Sequence, residues 1–99
     1  MNTFEKIYDL VSSTPKGKIT TYGALAKLVG VDPRVIGYAL HQNKDPENIP
    51  CHRVINSKGK ISSGYAFGGP GVQRKMLEKE GIIFGKNEAV NLEEFGYLI

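Results

Sequence analysis

The most reactive side chain in this sequence of 99 residues is its single cysteine, Cys51. Cys51 lies in the stretch IPCHRVI, and His52 and Arg53 follow it directly. A cysteine is a nucleophile only as its thiolate, so a base or a positive charge must help to remove its proton. Cysteine, histidine and a carboxylate form a general arrangement for nucleophilic catalysis. The stretch therefore indicates thiol chemistry, with the carboxylate supplied by another part of the chain.

A purely structural cysteine is compatible with the same stretch, because free cysteine also packs as a small hydrophobic residue. The apolar residues around Cys51 predict a buried, extended segment from Ile49 to Ile55. Neighbouring side chains of an extended segment point to opposite faces, so His52 would reach the thiol only through a bend or a water molecule. Cys51, His41 and His52 are too few for a structural zinc site unless carboxylates join them, and one cysteine forms no internal disulfide. We expect no metal and no cofactor.

Charge is distributed unevenly along the chain. Residues 16–75 contain ten Lys or Arg and three Asp or Glu, a net charge of +7, whereas residues 76–99 have a net charge of −3. A basic segment of this kind is typical of a surface that binds a polyanion, although a solvated surface would have the same composition.

The length predicts one domain, residues 1–99, which we expect to be a monomer. The sequence has no apolar run of membrane-spanning length and no signal-peptide pattern at its N-terminus, so we expect no membrane partner. A single cysteine fits a reducing compartment. Together these features predict a cytoplasmic, nucleoid-associated protein, or a nuclear one in a eukaryote.

Apolar spacing and turn residues predict four helices and three short strands. The helices are expected at 2–13, between a cap at Thr21 and a stop at Gly30, at 33–42 and at 72–80; the strands are expected at 18–20, 49–55 and 60–62. Asp32 and Pro33 have the residue types preferred at the start of the third helix. Two helices joined by a short turn that contains glycine describe a helix-turn-helix.

The third helix has an unusual outward face, formed by residues spaced i, i+3, i+4 and i+7: Arg34, Gly37, Tyr38 and His41. A glycine inside a helix lowers its stability by about 1 kcal/mol relative to alanine. Close approach to a nucleic-acid backbone is one reason to retain Gly37. Close packing against another helix is an equally good one.

Five motifs in chain order resemble the O6-alkylguanine-DNA alkyltransferase family. Pro50–Val54 (PCHRV) resembles its active-site signature. The others are residues 17–23 (GKITTYG), before the helix-turn-helix; 33–37 (PRVIG), at the start of the recognition helix; 64–69 (GYAFGG), in the substrate loop; and 77–81 (LEKEG), at the helix end that supplies the carboxylate. The resemblance covers nearly the whole chain. It implies a mostly α-helical, winged-helix-like helix-turn-helix domain with small β elements and a buried active-site cysteine.

The resemblance also implies a function: repair of DNA by single-turnover transfer of an alkyl group from O6-alkylguanine to Cys51, after the base is flipped out of the duplex. The implied catalytic residues are Cys51 as nucleophile, His52 acting through a water with Glu80 behind it, Tyr65 at the leaving guanine, and Asn43 bracing the turn. Implied contacts to the minor groove are Arg34, which fills the vacated stack, with Val35, Gly37, Tyr38, His41, Tyr22, Thr21 and Arg53. The implied substrate pocket contains Pro50, Tyr65, Ala66 and Phe67.

Some features depart from this family pattern. Larger members have an additional N-terminal domain, one more residue than usual separates Gly59 from Tyr65, and Tyr38 is bulky where the family often has a small residue. The tail, residues 80–95, is more similar to the alkyltransferase-like proteins, which bind alkylated guanine without repairing it and flag it for excision repair. Those proteins usually have Trp at the position of Cys51. A lesion-recognition protein with an excision-repair partner is therefore the main alternative; a Cys-His hydrolase is a weaker one, because it gives the basic helix-turn-helix no role.

Overall fold

The computed structural model describes residues 2–62 and 65–99. In chain order its elements are α1 (Thr3–Ser13), β1 (Thr20–Thr21), α2 (Tyr22–Val29), α3 (Pro33–His41), a 3₁₀ turn (Cys51–Arg53), β2 (Val54–Ile55), α4 (Gly69–Lys79), a second 3₁₀ segment (Lys86–Glu88) and α5 (Leu92–Phe95). The predicted fold class, mostly α with small β elements, is confirmed. No helix within the described ranges is both long enough and apolar enough to cross a bilayer.

Local capping interactions set the geometry of α2 and α3. The Thr21 hydroxyl accepts a hydrogen bond from the Ala24 N–H at 3.1 Å, and the Asp32 carboxylate accepts one from the Arg34 N–H at 2.8 Å. Each satisfies a backbone donor that has no partner inside its helix. Gly30 ends α2 in the left-handed conformation, with φ 84°. The two helices therefore meet across a three-residue connection, and the predicted helix-turn-helix is formed.

Buried apolar side chains form two groups. The first joins α1, α2 and α3 through residues that include Ile7, Leu25 and Ile36, and it also contains Cys51. The second joins the strands, α4 and the tail through Ile19, Ile55, Leu77, Ile82 and Val90. Truncating one of these fully buried isoleucines or leucines to alanine costs about 2–5 kcal/mol. Cys51 is thus held by the same packing that holds the helix-turn-helix together.

The strands pair in parallel, with Thr20 opposite Val54 and Thr21 opposite Ile55. The predicted returning strand at 60–62 is wrong, because those residues form no strand. After β2 the chain closes a tight turn, in which the Asn56 N–H donates to the Lys60 carbonyl at 3.0 Å, and then leaves. Since β2 has its ladder partner in β1, a strand far away in sequence, the local hairpin is not used.

The prediction of an extended segment from Ile49 to Ile55 is also wrong for its central residues. Cys51–Arg53 form a 3₁₀ turn, in which the Arg53 N–H donates to the Pro50 carbonyl at 3.0 Å and the Val54 N–H donates to the Cys51 carbonyl. The turn bends the chain before it enters β2. The argument that neighbouring side chains point to opposite faces therefore does not apply to Cys51 and His52.

The tail after α4 packs as part of the fold. The Ile19 N–H donates to the Phe95 carbonyl at 2.9 Å, and the Tyr97 N–H donates to the Ile19 carbonyl at 2.7 Å. The Val90 N–H donates to the Gly59 carbonyl at 2.8 Å. A Cβ atom on Gly59 would lie 2.5 Å from the Val90 carbonyl oxygen, so this close approach requires glycine. The tail thereby holds both β1 and the turn after β2.

Candidate active site around Cys51

Cys51 begins the 3₁₀ turn Cys51–Arg53, here named the cysteine turn. The residue is buried, with 5% of its surface exposed. Burial raises the pKa of the Cys51 thiol, and hydrogen bonds from the Asn43 side chain and the turn backbone oppose this only partly. The resting sulfur is therefore a neutral thiol at pH 7. Any reaction at this sulfur needs a base within reach.

The Asn43 side chain forms hydrogen bonds with the segment that precedes the cysteine turn. Its Nδ2 donates to the Ile49 carbonyl at 2.9 Å, and its Oδ1 accepts from the Asp45 N–H at 2.9 Å. The Cys51 N–H donates to the same Ile49 carbonyl at 2.7 Å. Asn43 is itself buried, so these bonds are sheltered from water. This is the placement that the predicted bracing role requires.

His52 and Glu80 form a buried pair. Nε2 of His52 lies 2.9 Å from Oε2 of Glu80, and the two side chains are 6% and 11% exposed. Burial alone would raise the Glu80 pKa, but hydrogen bonds and charge from Arg53 and His52 outweigh it and lower that pKa. Since the carboxylate is ionised and accepts only, the proton of a neutral His52 ring lies on Nε2. Nδ1 is then a lone-pair acceptor; it is buried and has no hydrogen-bond partner among the described residues.

Arg53 was predicted to contact DNA, and the structure places it elsewhere. Its Nε and Nη2 donate to the two oxygens of Glu80 at 2.9 and 2.8 Å, and Nη1 donates to the Thr14 carbonyl at 2.8 Å. This two-point geometry is the strong form of an arginine–carboxylate contact. The side chain is 15% exposed, so its charge is directed inward. Arg53 holds Glu80 in place and connects the cysteine turn to the end of α1.

The thiol lies in a pocket of about 200 Å³, here named the cysteine pocket. α3 contributes Gly37, Leu40 and His41, and the segment on the opposite wall contributes Ser62, Tyr65 and Ala66, while Tyr22 and Cys51 complete the lining. Pockets for drug-sized ligands measure roughly 300–1,000 Å³, so this one suits a smaller group. Residues 63 and 64, the second of which begins the predicted substrate loop, lie outside the described residues.

Tyr65 lines the cysteine pocket, but its hydroxyl donates to the Met76 sulfur of α4 at 3.3 Å. Burial raises the Tyr65 pKa, and the adjacent Cys51 raises it further, so the hydroxyl remains a donor. Phe67 packs edge-on against the Tyr65 ring with centroids 5.9 Å apart, and it supports that ring without lining the pocket. Pro50, also predicted for the pocket, is buried beside the cysteine turn and is not part of the lining.

The outward face of α3 borders the cysteine pocket. The Arg34 side chain is 91% exposed and pairs with Asp32 at 3.1 Å. Gly37 and His41 line the pocket, and Tyr38 is 62% exposed. Among the described residues, a Cβ atom on Gly37 would meet nothing within 4 Å outside its own helix. Close packing against another helix therefore does not explain this glycine, and its predicted approach to nucleic acid stays a prediction.

Three other predicted DNA contacts pack within the protein itself. Val35 is half-buried and packs against the first core group. Thr21 is buried and caps α2 through its hydroxyl. Tyr22 is mostly buried and lines the cysteine pocket. Burial raises the Tyr22 pKa, and a hydrogen bond with Ser62 partly opposes this.

Sequence reasoning missed several residues of the site: Thr14, Leu40, Ser62, Gln73 and Met76. α4 carries two of them and begins at Gly69, three residues before the predicted start, with Pro70 in its first turn, where no N–H is needed. The one sequence signal for Gln73 is its polar side chain at a helix position that the apolar pattern predicts to be buried. In the described part of the chain, no three His, Cys, Asp or Glu side chains come together in a way that could hold a metal ion.

Comparison with known proteins places this site in a family. The model for the DNA-binding domain of 6-O-methylguanine DNA methyltransferase matches residues 2–82. Alkyltransferase-like protein 1 of Schizosaccharomyces pombe is 40% identical over 81 residues, covering 80% of this chain and 75% of that protein. A methylated-DNA–protein-cysteine methyltransferase of Methanothermobacter thermautotrophicus is 43% identical over 77 residues, covering 78% of this chain but 43% of that protein. The chain thus spans less than half the length of this methyltransferase.

Solved structures agree. S. pombe Atl1 in complex with damaged DNA containing O6-carboxymethylguanine matches with a TM-score of 0.83 and 35% identity, covering 96% of this chain and 94% of that chain. The O6-methylguanine-DNA methyltransferase of Pyrococcus kodakaraensis matches with a TM-score of 0.71 and 34% identity, covering 83% of this chain and 47% of that chain. The resemblance noted in the sequence is confirmed, and the chain belongs to the 6-O-methylguanine DNA methyltransferase family through its DNA-binding domain.

Proposed function

We propose that this protein repairs DNA by transferring an alkyl group from O6 of a flipped-out guanine to the sulfur of Cys51. The observation that carries the proposal is the position of Cys51 in a small pocket, bordered by α3 and Tyr65, with His52 next to it in the cysteine turn and paired with Glu80 at the end of α4. O6 of a guanine inside the duplex is out of reach of a buried thiol, so the base must leave the stack. Relatives named methylated-DNA–protein-cysteine methyltransferase support this chemistry.

The transfer is a single displacement. A bond forms between the Cys51 sulfur and the alkyl carbon, while the bond between that carbon and guanine O6 breaks. The base leaves as an anion and takes up a proton, so that over the whole reaction the thiol proton is replaced by the alkyl group and one proton is gained by guanine. The product is a thioether, which no neighbouring group hydrolyses. Each protein molecule would therefore react once.

His52 supplies the base in this proposal. Its Nε2–H is committed to Glu80, so the free lone pair lies on the buried Nδ1. A water bound between Nδ1 and the thiol would relay the proton to the ring, since His52 directly follows Cys51 in the cysteine turn. The Glu80 carboxylate, held by Arg53, would stabilise the resulting imidazolium. This arrangement compensates for the burial that raises the pKa of the resting Cys51 thiol.

Tyr65 would act at the leaving base in this scheme. Its hydroxyl faces Met76 in the free protein and would turn toward a bound guanine, to which it can donate because its pKa is raised. A thioether sulfur is a weak acceptor, so little is lost when this hydrogen bond breaks.

DNA binding would use the outward face of α3 in the minor groove. Arg34 projects from the first turn of α3 into solvent, where it would exchange its exposed contact with Asp32 for the space of the extruded base. Gly37 would let α3 approach the DNA backbone closely, since this residue has no side chain. Similar structures were solved as complexes with DNA, among them S. pombe Atl1 and Mycobacterium tuberculosis OGT, the latter with a TM-score of 0.72.

Intact-protein mass spectrometry tests the proposal. The wild type is incubated with excess duplex that contains one O6-methylguanine, and its mass is expected to increase by one methylene, on the peptide that contains Cys51. The increase must stop at one equivalent. Cys51→Ala should gain no mass and still bind the damaged duplex, which controls for folding. A wild-type protein that binds this duplex without any change of mass contradicts the transfer.

Lesion recognition without transfer is the second candidate. Two observations favour it: the match to S. pombe Atl1 covers 94% of that chain, and burial keeps Cys51 as a neutral thiol. In that case the protein would bind damaged DNA with unchanged mass, and an excision-repair partner would act next. The family match leaves no reason to propose the Cys-His hydrolase.

A further inference from the structure

We propose that Gln73 is a positioning residue that sets the geometry of Cys51 and His52. The inference rests on the proposed function, because it concerns the reactivity of the same thiol. Gln73 lies in the middle of α4 and is 3% exposed. Its Nε2 donates to the His52 carbonyl at 3.0 Å and to the Val54 carbonyl at 3.2 Å. One amide therefore holds the backbone on both sides of Arg53.

The two carbonyls lie in consecutive elements, since His52 is in the cysteine turn and Val54 begins β2. The cysteine turn is a single 3₁₀ turn, and the last carbonyls of so short a helix have no N–H partner within it. A side-chain amide has two N–H donors, so bonding to two carbonyls uses its full donating capacity. Because the site is buried, no solvent would replace these bonds if the amide were removed. The orientation of the peptide between His52 and Val54 is thus tied to the position of Gln73.

Gln73 shares one face of α4 with two other groups that touch the site. Residues 73, 76 and 80 are spaced i, i+3 and i+7, which places them along one side of the helix and its C-terminal cap. Met76 accepts from the Tyr65 hydroxyl, and Glu80 accepts from His52. Gln73 differs from both because it holds backbone and not a side chain. It therefore sets the register between α4 and the cysteine turn, on which the other two contacts depend.

The test replaces the amide without changing the size of the side chain. Gln73→Met keeps a similar length and volume but removes both donors. Lys75→Met, at an exposed position of the same helix, introduces the same residue without touching the turn. Both variants are compared with the wild type in urea denaturation and in binding to undamaged duplex. Two reactivity assays follow: the single-turnover rate with saturating O6-methylguanine duplex, and the pH dependence of Cys51 alkylation by iodoacetamide.

We expect Gln73→Met to bind undamaged duplex as Lys75→Met does, but to transfer the methyl group on the order of tenfold to a hundredfold more slowly, since small displacements of reacting groups have effects of this size. Its iodoacetamide profile should move to higher pH, because His52 no longer lies where it can take the thiol proton. Unchanged rates and an unchanged profile, with only a lower unfolding midpoint, would overturn the positioning role.

The experiment also gives an answer if the wild type does not transfer the methyl group or if Gln73→Met does not fold. If the wild type transfers no methyl group, the proposed function fails, and the iodoacetamide profiles alone decide the role of Gln73. If Gln73→Met does not fold, Gln73→Asn, which keeps the amide but withdraws it by one methylene, replaces it in the same assays. A wild-type profile in Gln73→Asn would then count against the proposal.

Discussion

Nε2 of His52 lies 2.9 Å from Oε2 of Glu80, a residue 28 positions later in the chain. Arg53 donates to both oxygens of the same carboxylate, so that three side chains form one nearly buried cluster between the cysteine turn and the end of α4. A buried carboxylate must stay paired, because an unpaired buried charge is strongly destabilising. The cluster therefore contributes to folding as well as to the proposed chemistry, and the two contributions are separable by experiment.

The variant Glu80→Gln should reveal the folding contribution through pH. The pKa of Glu80 is lowered from its ordinary value of 4.5, so its stabilising effect is complete above that value and is lost as pH falls toward the lower folded-state pKa. At pH 7 we expect Glu80→Gln to lose roughly 3 kcal/mol of unfolding free energy. Its stability should then change less than that of the wild type as the solution becomes acidic. Urea denaturation from neutral pH to about pH 3 measures both; parallel pH curves would contradict the prediction.

The variant Gly37→Ala should separate protein stability from DNA affinity. In the part of the chain that the structure describes, no atom outside the helix lies within 4 Å of the new Cβ, and alanine favours the helix over glycine by about 1 kcal/mol, so the variant should be more stable than the wild type. Its affinity for duplex DNA should fall on the order of tenfold, because an extra methyl at a close contact costs about 1–3 kcal/mol. Gly30→Ala is the matched control: φ is 84° there, so the protein should be less stable. Undiminished DNA affinity in Gly37→Ala would exclude the close approach.

The variant Arg34→Ala should affect DNA repair and leave the pocket intact. Arg34 contacts only Asp32 among its described polar partners and is 91% exposed, so folding should be unchanged. If its side chain replaces the extruded base, its loss should slow reaction with damaged duplex by about 30-fold, equivalent to roughly 2 kcal/mol of unstacking. Reaction with free O6-benzylguanine needs no extrusion and should be spared. Lys86→Ala, an equal loss of charge in the tail, controls for electrostatics; equal losses on the two substrates would rule out the intercalating role.

The affinity for duplex DNA should depend strongly on salt concentration if the basic surface binds phosphates. Lys44, Lys58 and Lys60 are exposed and are candidates for phosphate contacts, together with Arg34, whereas Arg53 is committed to Glu80. With about four phosphates neutralised, the logarithm of the binding constant should fall against the logarithm of salt concentration with a slope of about −3 to −4, nearly independent of sequence. Fluorescence anisotropy on undamaged duplexes gives the slope. A flat titration would be incompatible with a basic DNA-binding face.

Local structure was predictable wherever it depends on neighbours in sequence. Thr21, Gly30 and Asp32 act on backbone groups only two to four residues away, so the helix-turn-helix followed from residue types alone. The candidate reactive residues could also be named along the chain, since the cysteine motif and the helix end that contains Glu80 are recognisable patterns. The family, the fold class and the identity of the thiol were therefore determined by the sequence itself.

Contacts between distant segments were decided by the tertiary structure. β2 pairs with β1 and not with the following residues, and the cysteine turn before it is bent and not extended. The Gln73 amide, from α4, donates to the carbonyls of His52 and Val54. Arg53 reads as a surface cation in sequence, yet it is turned inward by Glu80, 27 residues away. No local pattern encodes these partners: a buried donor or acceptor bonds to whatever group the packing of α1, α4 and the strands brings within reach.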